Sequence, residues 1–116
     1  MKVYTYLTVR SDRRYGESVA ARVLVEFLDS VSELRRTDLA FYEAVDGVGW
    51  LQVVMADCDS DGNYAVHKGT APQRVNVVEL ICSDADGPRA WETARELAAR
   101  IADVLGWEVA DPEAGE

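Results

Sequence analysis

The sequence predicts a single α+β domain in which two helices pack on one face of a mainly antiparallel sheet of four to six strands, in the order β-α-β-β-(β)-β-α. Three observations lead there. Two segments carry apolar residues at helical spacing, several short segments are β-branched or aromatic between turn signals, and 116 residues hold one core but not two. Each helix has a single apolar stripe, so each has one side to bury. Both are expected on the same side of the sheet, leaving the other face to solvent or a partner.

The elements follow in order. Residues 2–10 set Val3, Thr5, Leu7 and Val9 against Tyr4, Tyr6 and Thr8, the period of two expected of a strand with unlike faces. Residues 17–34 place Ala20, Val23, Leu24, Phe27, Leu28, Val31 and Leu34 on one helical stripe. Residues 39–45 and 48–56 read as strands joined through Asp46-Gly47, a dipeptide suited to the positive φ angles of a two-residue hairpin turn. After the acidic stretch 57–63, residues 64–67 make a short strand and 69–73 a loop marked by Gly and Pro. Residues 74–82, rich in Val, Leu and Ile, read as the central strand. A second helix starts at Asp86, Gly87 and Pro88 and stops at Gly106, with Trp107 folding back or opening a short edge strand through Val109. The domain therefore spans 1–110, and 111–116 is expected to be a frayed acidic tail.

Charge is the compositional feature that departs most from average. The net value is −9, and it is unevenly spread: residues 1–36 carry seven Lys or Arg against five Asp or Glu, residues 37–116 five against sixteen. Such a field repels nucleic acid, whose binding needs several cations to displace counterions, and it favours basic protein surfaces. No apolar run approaches the roughly 20 residues that span a bilayer, and the first ten residues alternate where a signal peptide runs apolar. A cytoplasmic protein without membrane segments is expected. Cys58 and Cys82 fit neither a disulfide framework nor a CxxC pattern. With a strand between theirs they would stand roughly 9–10 Å apart, beyond disulfide reach, and are expected to be free thiols.

Alternation also nominates a binding surface. If Leu51, Val53 and Met55 face the core, Trp50 and Gln52 face away; if Thr5, Leu7 and Val9 face inward, Tyr4 and Tyr6 face away too. Glu43 and Glu79 sit mid-strand among apolar residues, where a charge belongs on the wet face. Tyr and Trp are frequent at the energetic centres of interfaces, and carboxylates steer a basic partner, so Tyr4, Tyr6, Glu43, Trp50, Gln52 and Glu79 form the candidate partner-binding face. Outward aromatics also pair with one another across a sheet, which is the plainer role for them.

The remaining motifs each have a plainer role. Asp57, Asp59 and Asp61, followed by Gly62, repeat the D-x-D-x-D-G opening of a calcium loop. The twelfth position is Lys68 instead of a closing carboxylate, so a hairpin turn through residues 61–63 is the stronger reading and no cofactor is expected. Glu43 and Glu79 have no fixed spacing as an acid and base pair, and His67, the only histidine, has no nucleophile motif beside it. Arg10, Arg13 and Arg14 precede the first helix, where an anion would be attracted, but no glycine-rich phosphate loop accompanies them.

A small, acidic α+β chain without a catalytic signature resembles bacterial immunity and inhibitor proteins in general character. The likeness implies a non-enzymatic binding protein that docks through its open sheet face on a basic partner, such as the cleft of a nuclease toxin. The alternative is a small-ligand or regulatory domain of ferredoxin-like type that hides the same face by forming a homodimer.

Overall fold

A computed structural model describes residues 4–65, 69–85 and 87–111. Strand β1 (Tyr4–Arg10) leads through β2 (Val19–Ala20) into helix α1 (Ala21–Asp29). Strands β3 (Leu34–Asp38), β4 (Phe41–Ala44) and β5 (Leu51–Ala56) form a meander. A long connection reaches β6 (Arg74–Val75) and β7 (Val77–Ser83), and helix α2 (Arg89–Leu105) and strand β8 (Glu108–Ala110) complete the chain. The main sheet has the order β3-β4-β5-β7-β1-β8 with every pair antiparallel, and β2 pairs with β6 in a separate two-stranded sheet.

The helices lie on one face, as the stripes require. Leu7 and Val9 of β1, Tyr42 of β4, Leu51, Val53 and Met55 of β5, and Val78, Leu80 and Cys82 of β7 share one buried cluster with Leu24 and Leu28 of α1 and with Ala94, Leu97 and Ile101 of α2. The Tyr42 hydroxyl donates to Asp29 at the end of α1, 2.7 Å away, and the Arg100 guanidinium of α2 lies over the Phe27 ring of α1 at 5.5 Å. Small side chains at Ala90, Ala94 and Ala98 let α2 settle close to the strands. Gly106 ends α2 in the left-handed region at φ 69°, and the Trp107 N–H then returns to the Ala102 carbonyl, 2.9 Å away. That turn lays β8 beside β1, so the short last strand exists.

Several boundaries differ from expectation, each for a physical reason. Helix α1 is half the length predicted over 17–34. Residues 19–20 extend to pair with 74–75, and the chain leaves the helix at Ser30. Val31 and Leu34 are nonetheless buried, so their helical spacing reports burial and not helix. The predicted strand 39–45 is β4 alone, starting at Phe41 after a turn at Leu39-Ala40 that joins it to β3, and β3 carried no signal because Arg35, Arg36 and Thr37 belong to an exposed edge strand with no apolar alternation.

Asp46-Gly47 lies in a six-residue connection instead of a two-residue turn, with Gly47 at φ 93°. The strand predicted over 74–82 breaks at Asn76 into β6 and β7. β5 and β7 are direct neighbours, so no strand separates Cys58 from Cys82. Cys82 is opposite Leu51, whereas Cys58 lies beyond Ala56 at the other end of the pair, and both are free and buried. Tyr64 and Ala65 are not in a strand. Residues 2–3, the rest of the strand expected over 64–67, Lys68, the Asp86 helix start and residues 112–116 fall outside the described residues. Among those described, no helix is long and apolar enough to cross a membrane.

Candidate functional site

The face of the sheet away from the helices carries all six nominated residues. Register places Glu43, Gln52, Ile81 and Tyr6 in one row across β4, β5, β7 and β1, with Arg35 of β3 opposite Glu43. The next row holds Phe41, Val54, Glu79 and Thr8. Tyr4 is 45%, Tyr6 50% and Trp50 40% exposed, high values for large apolar side chains on a sheet and a mark of an uncovered surface.

Tyr4 and Trp50 meet edge to face with centroids 5.3 Å apart. Their closeness has a local cause. Tyr4 pairs with Ser83, and the Ser83 N–H donates to the Trp50 carbonyl, so a serine stands between them. A side chain that small lets the two rings lean together over it, and Ser83 is buried beneath. The result is a braced aromatic ridge at one end of the face, with Tyr6, Gln52 and Glu43 beside it.

Glu79 sits differently from Glu43. β7 is flanked on both sides, so its carboxylate is half-buried, and Thr8 Oγ1 donates to it at 2.9 Å. Burial pushes its pKa up, while the Thr8 hydrogen bond and the Arg10 charge pull the other way. Tyr64, from the β5–β6 connection, stands near Glu79 and Tyr6. Its own burial, with the Glu79 charge next, raises its phenol to about 12. A carboxyl whose folded pKa exceeds the unfolded value of about 4.3 contributes stability that is complete below that value and lost as pH rises through the folded one. Glu79→Gln removes the charge and keeps an acceptor for Thr8. The variant is therefore expected to be more stable than the parent in urea at pH 7, with the advantage shrinking as pH falls towards about 4. An equal or lower midpoint at pH 7 would contradict the placement of Glu79.

The face is uncovered at only one end. Val54, Ala56 and Val77 point away from the helices yet are buried. Tyr15 and Cys58 pack against Ala56 and Val77, Ala65 and residues 70–72 run past Ala56, and the Gly69 N–H bonds Asp38 at 2.9 Å. The β5–β6 connection thus crosses the sheet from β7 to β3. Tyr15 is a hub for this cover. Its backbone is held at φ 55°, its ring lies under Arg10, its hydroxyl accepts from Arg10 Nη1 at 3.3 Å, and its carbonyl faces Asn76. Gly62 approaches so closely that a Cβ there would come within 2.8 Å of the Tyr15 hydroxyl.

The acidic connection folds on itself. Asp59 Oδ1 accepts the N–H groups of Asp61 and Asn63 at 2.9 and 3.0 Å, and the Gly62 N–H returns to the Asp59 carbonyl. Those amides hold the Asp59 carboxyl below the usual range. Among the described residues no three acidic, cysteine or histidine side chains are placed to hold a metal ion, and Asp59 and Asp61 belong to a turn through residues 59–63 that Asp57 precedes.

Arg10 is taken up by Glu108, 3.1 Å away, and by Tyr15, while α1 begins only at Ala21, beyond β2. The arginines before the first helix therefore do not form one site with its start. Glu43 and Glu79 lie two strands and two residues apart, roughly 12 Å between Cα atoms, with Gln52 and Val54 in the strand between them. His67 lies outside the described residues.

Sequence reasoning missed Thr8, Tyr64, Ile81 and Ser83. The first, third and fourth follow from strict alternation once Tyr6 and Glu79 are assigned outward. Tyr64 carries no local signal, because its place depends on where a long connection crosses the sheet. No protein-family model matches this sequence, and no curated protein matches it either.

Proposed function

We propose that this chain is a non-enzymatic binding protein that docks on a basic protein partner through the uncovered end of its sheet, in the manner of an immunity or inhibitor protein. The observation that carries the reading is the grouping of three exposed rings, Tyr4, Tyr6 and Trp50, with Gln52 and Glu43 on one rigid face. Aromatic side chains on strands offer large contact area at low entropic cost, because the sheet already holds them. The net charge of −9 adds long-range attraction for a basic surface and repulsion of acidic ones.

The test uses the whole chain as bait beside a Tyr6→Ala, Glu43→Gln variant of the same charge-exposed face. The expected outcome is a basic partner that, once purified, binds the parent at least about tenfold more tightly than the variant and loses affinity as salt rises. An acidic partner, or one indifferent to the two substitutions, rules the reading out. So does a parent chain that light scattering shows to be a dimer with Trp50 shielded from quenchers, since the face would then be occupied by a second copy.

A further inference from the structure

Where β4 gives way to β5, residues 44–50 and Arg89 enclose an open cleft of about 440 Å³, within the roughly 300–1,000 Å³ range of small-molecule sites. Its walls are chemically unlike one another. Trp50 forms one, its ring braced by Tyr4. Asp46, from the β4–β5 connection, and Arg89, the first residue of α2, supply opposite charges from two separate elements. Among the described residues neither side chain makes an ion pair or hydrogen bond, with each other or with any other group. Gly47 and Gly49, at φ 93° and 105°, leave bare backbone along the connecting wall, and nothing lies within 4 Å of where a Cβ of Gly47 would stand.

We propose that this cleft binds a small zwitterion bearing a flat apolar group, the chemistry of a free aromatic α-amino acid. The guanidinium fork of Arg89 matches a carboxylate, Asp46 takes the ammonium, and the flat group lies on Trp50. A simple anion would meet Asp46 as well as Arg89, and a simple cation the reverse. Only a ligand with both charges satisfies both walls. This inference shares Trp50 with the docking reading, but its two charged walls, Arg89 and Asp46, take no part in the latter, so substitutions there test it separately.

The chain contains three tryptophans, so the indole N–H of Trp50 can be followed by NMR against Trp91 and Trp107 as internal references. Three probes are titrated: L-phenylalanine, phenylacetate, which lacks the ammonium, and phenethylamine, which lacks the carboxylate. Phenylalanine is expected to shift the Trp50 signal saturably at concentrations at least about tenfold below those the single-charge analogues need. Arg89→Gln and Asp46→Asn, both at exposed positions, are each expected to weaken phenylalanine about tenfold while leaving the other two indoles in place. The proposal fails if phenylalanine gives no saturable shift, if either analogue matches it, or if both substitutions leave its binding unchanged.

Discussion

Leu80→Ala is expected to lower the stability of this domain by about 3–5 kcal/mol, a large part of the roughly 5–15 kcal/mol that holds a domain of this size together. Leu80 is fully buried in the central strand, opposite Leu7 on one side and Val53 on the other, with α2 packed above. Both lateral neighbours are fixed by strand register, so they cannot close the cavity that alanine leaves. The melting temperature should fall on the order of 15 °C. Ile81→Ala is the control. It removes nearly the same volume one residue along, from the half-exposed face, and is expected to cost about 1 kcal/mol because water and mobile side chains fill the gap. Urea melts of the two variants decide the matter. Equal costs would mean that both faces of the sheet are core, and the docking surface would lose its physical basis.

How legible this architecture was in the sequence depended on whether a residue's local pattern and its final environment agreed. They agreed along β1 and β5, where alternation places Leu7, Val9, Val53 and Met55 under the helices and Tyr4, Tyr6, Trp50 and Gln52 on the other side. They disagreed at the end of α1. Val31 and Leu34 continue the helical stripe in sequence but reach the core from a turn and from the start of β3. β3 itself was illegible, because Arg35 and Arg36 defend an edge with charge and so erase the apolar alternation that marks a strand. The six nominated residues share the face away from the helices, but less of that face is open than alternation alone implies. Nothing in the composition of 57–65 and 69–73 announces that these residues pack against Ala56 and reach Asp38, since the ties that hold them there join residues far apart in the chain.

The strongest of those ties is Asn76, and its removal is the second large effect. Asn76 is only 7% exposed. Its Oδ1 accepts the Cys58 N–H at 2.7 Å, and its Nδ2 donates to the Cys58 carbonyl at 2.9 Å, so one amide side chain pairs with both backbone groups of Cys58 as a neighbouring strand would. Val77, next in sequence, packs beside Cys58 and Ala56, so no water has ready access to replace those bonds. Asn76→Ala leaves a buried donor and a buried acceptor unmet, at about 1–3 kcal/mol each, and the total loss is expected near 2–4 kcal/mol.

The two cysteines report whether that loss is local. Cys58 hangs on Asn76, whereas Cys82 lies under the helices in the main core. In the parent chain burial keeps both thiols above their ordinary pKa and slow to react. If Asn76 pins the connection to the sheet, Asn76→Ala should speed labelling of Cys58 by a thiol reagent at least about tenfold with Cys82 nearly unchanged, because a local opening of low free energy then exposes one thiol and not the other. If the substitution merely destabilised the whole domain, both thiols would gain reactivity through the same global unfolding, and by the same factor. The ratio of the two rates therefore separates a strap tied down at one residue from a uniformly cooperative fold.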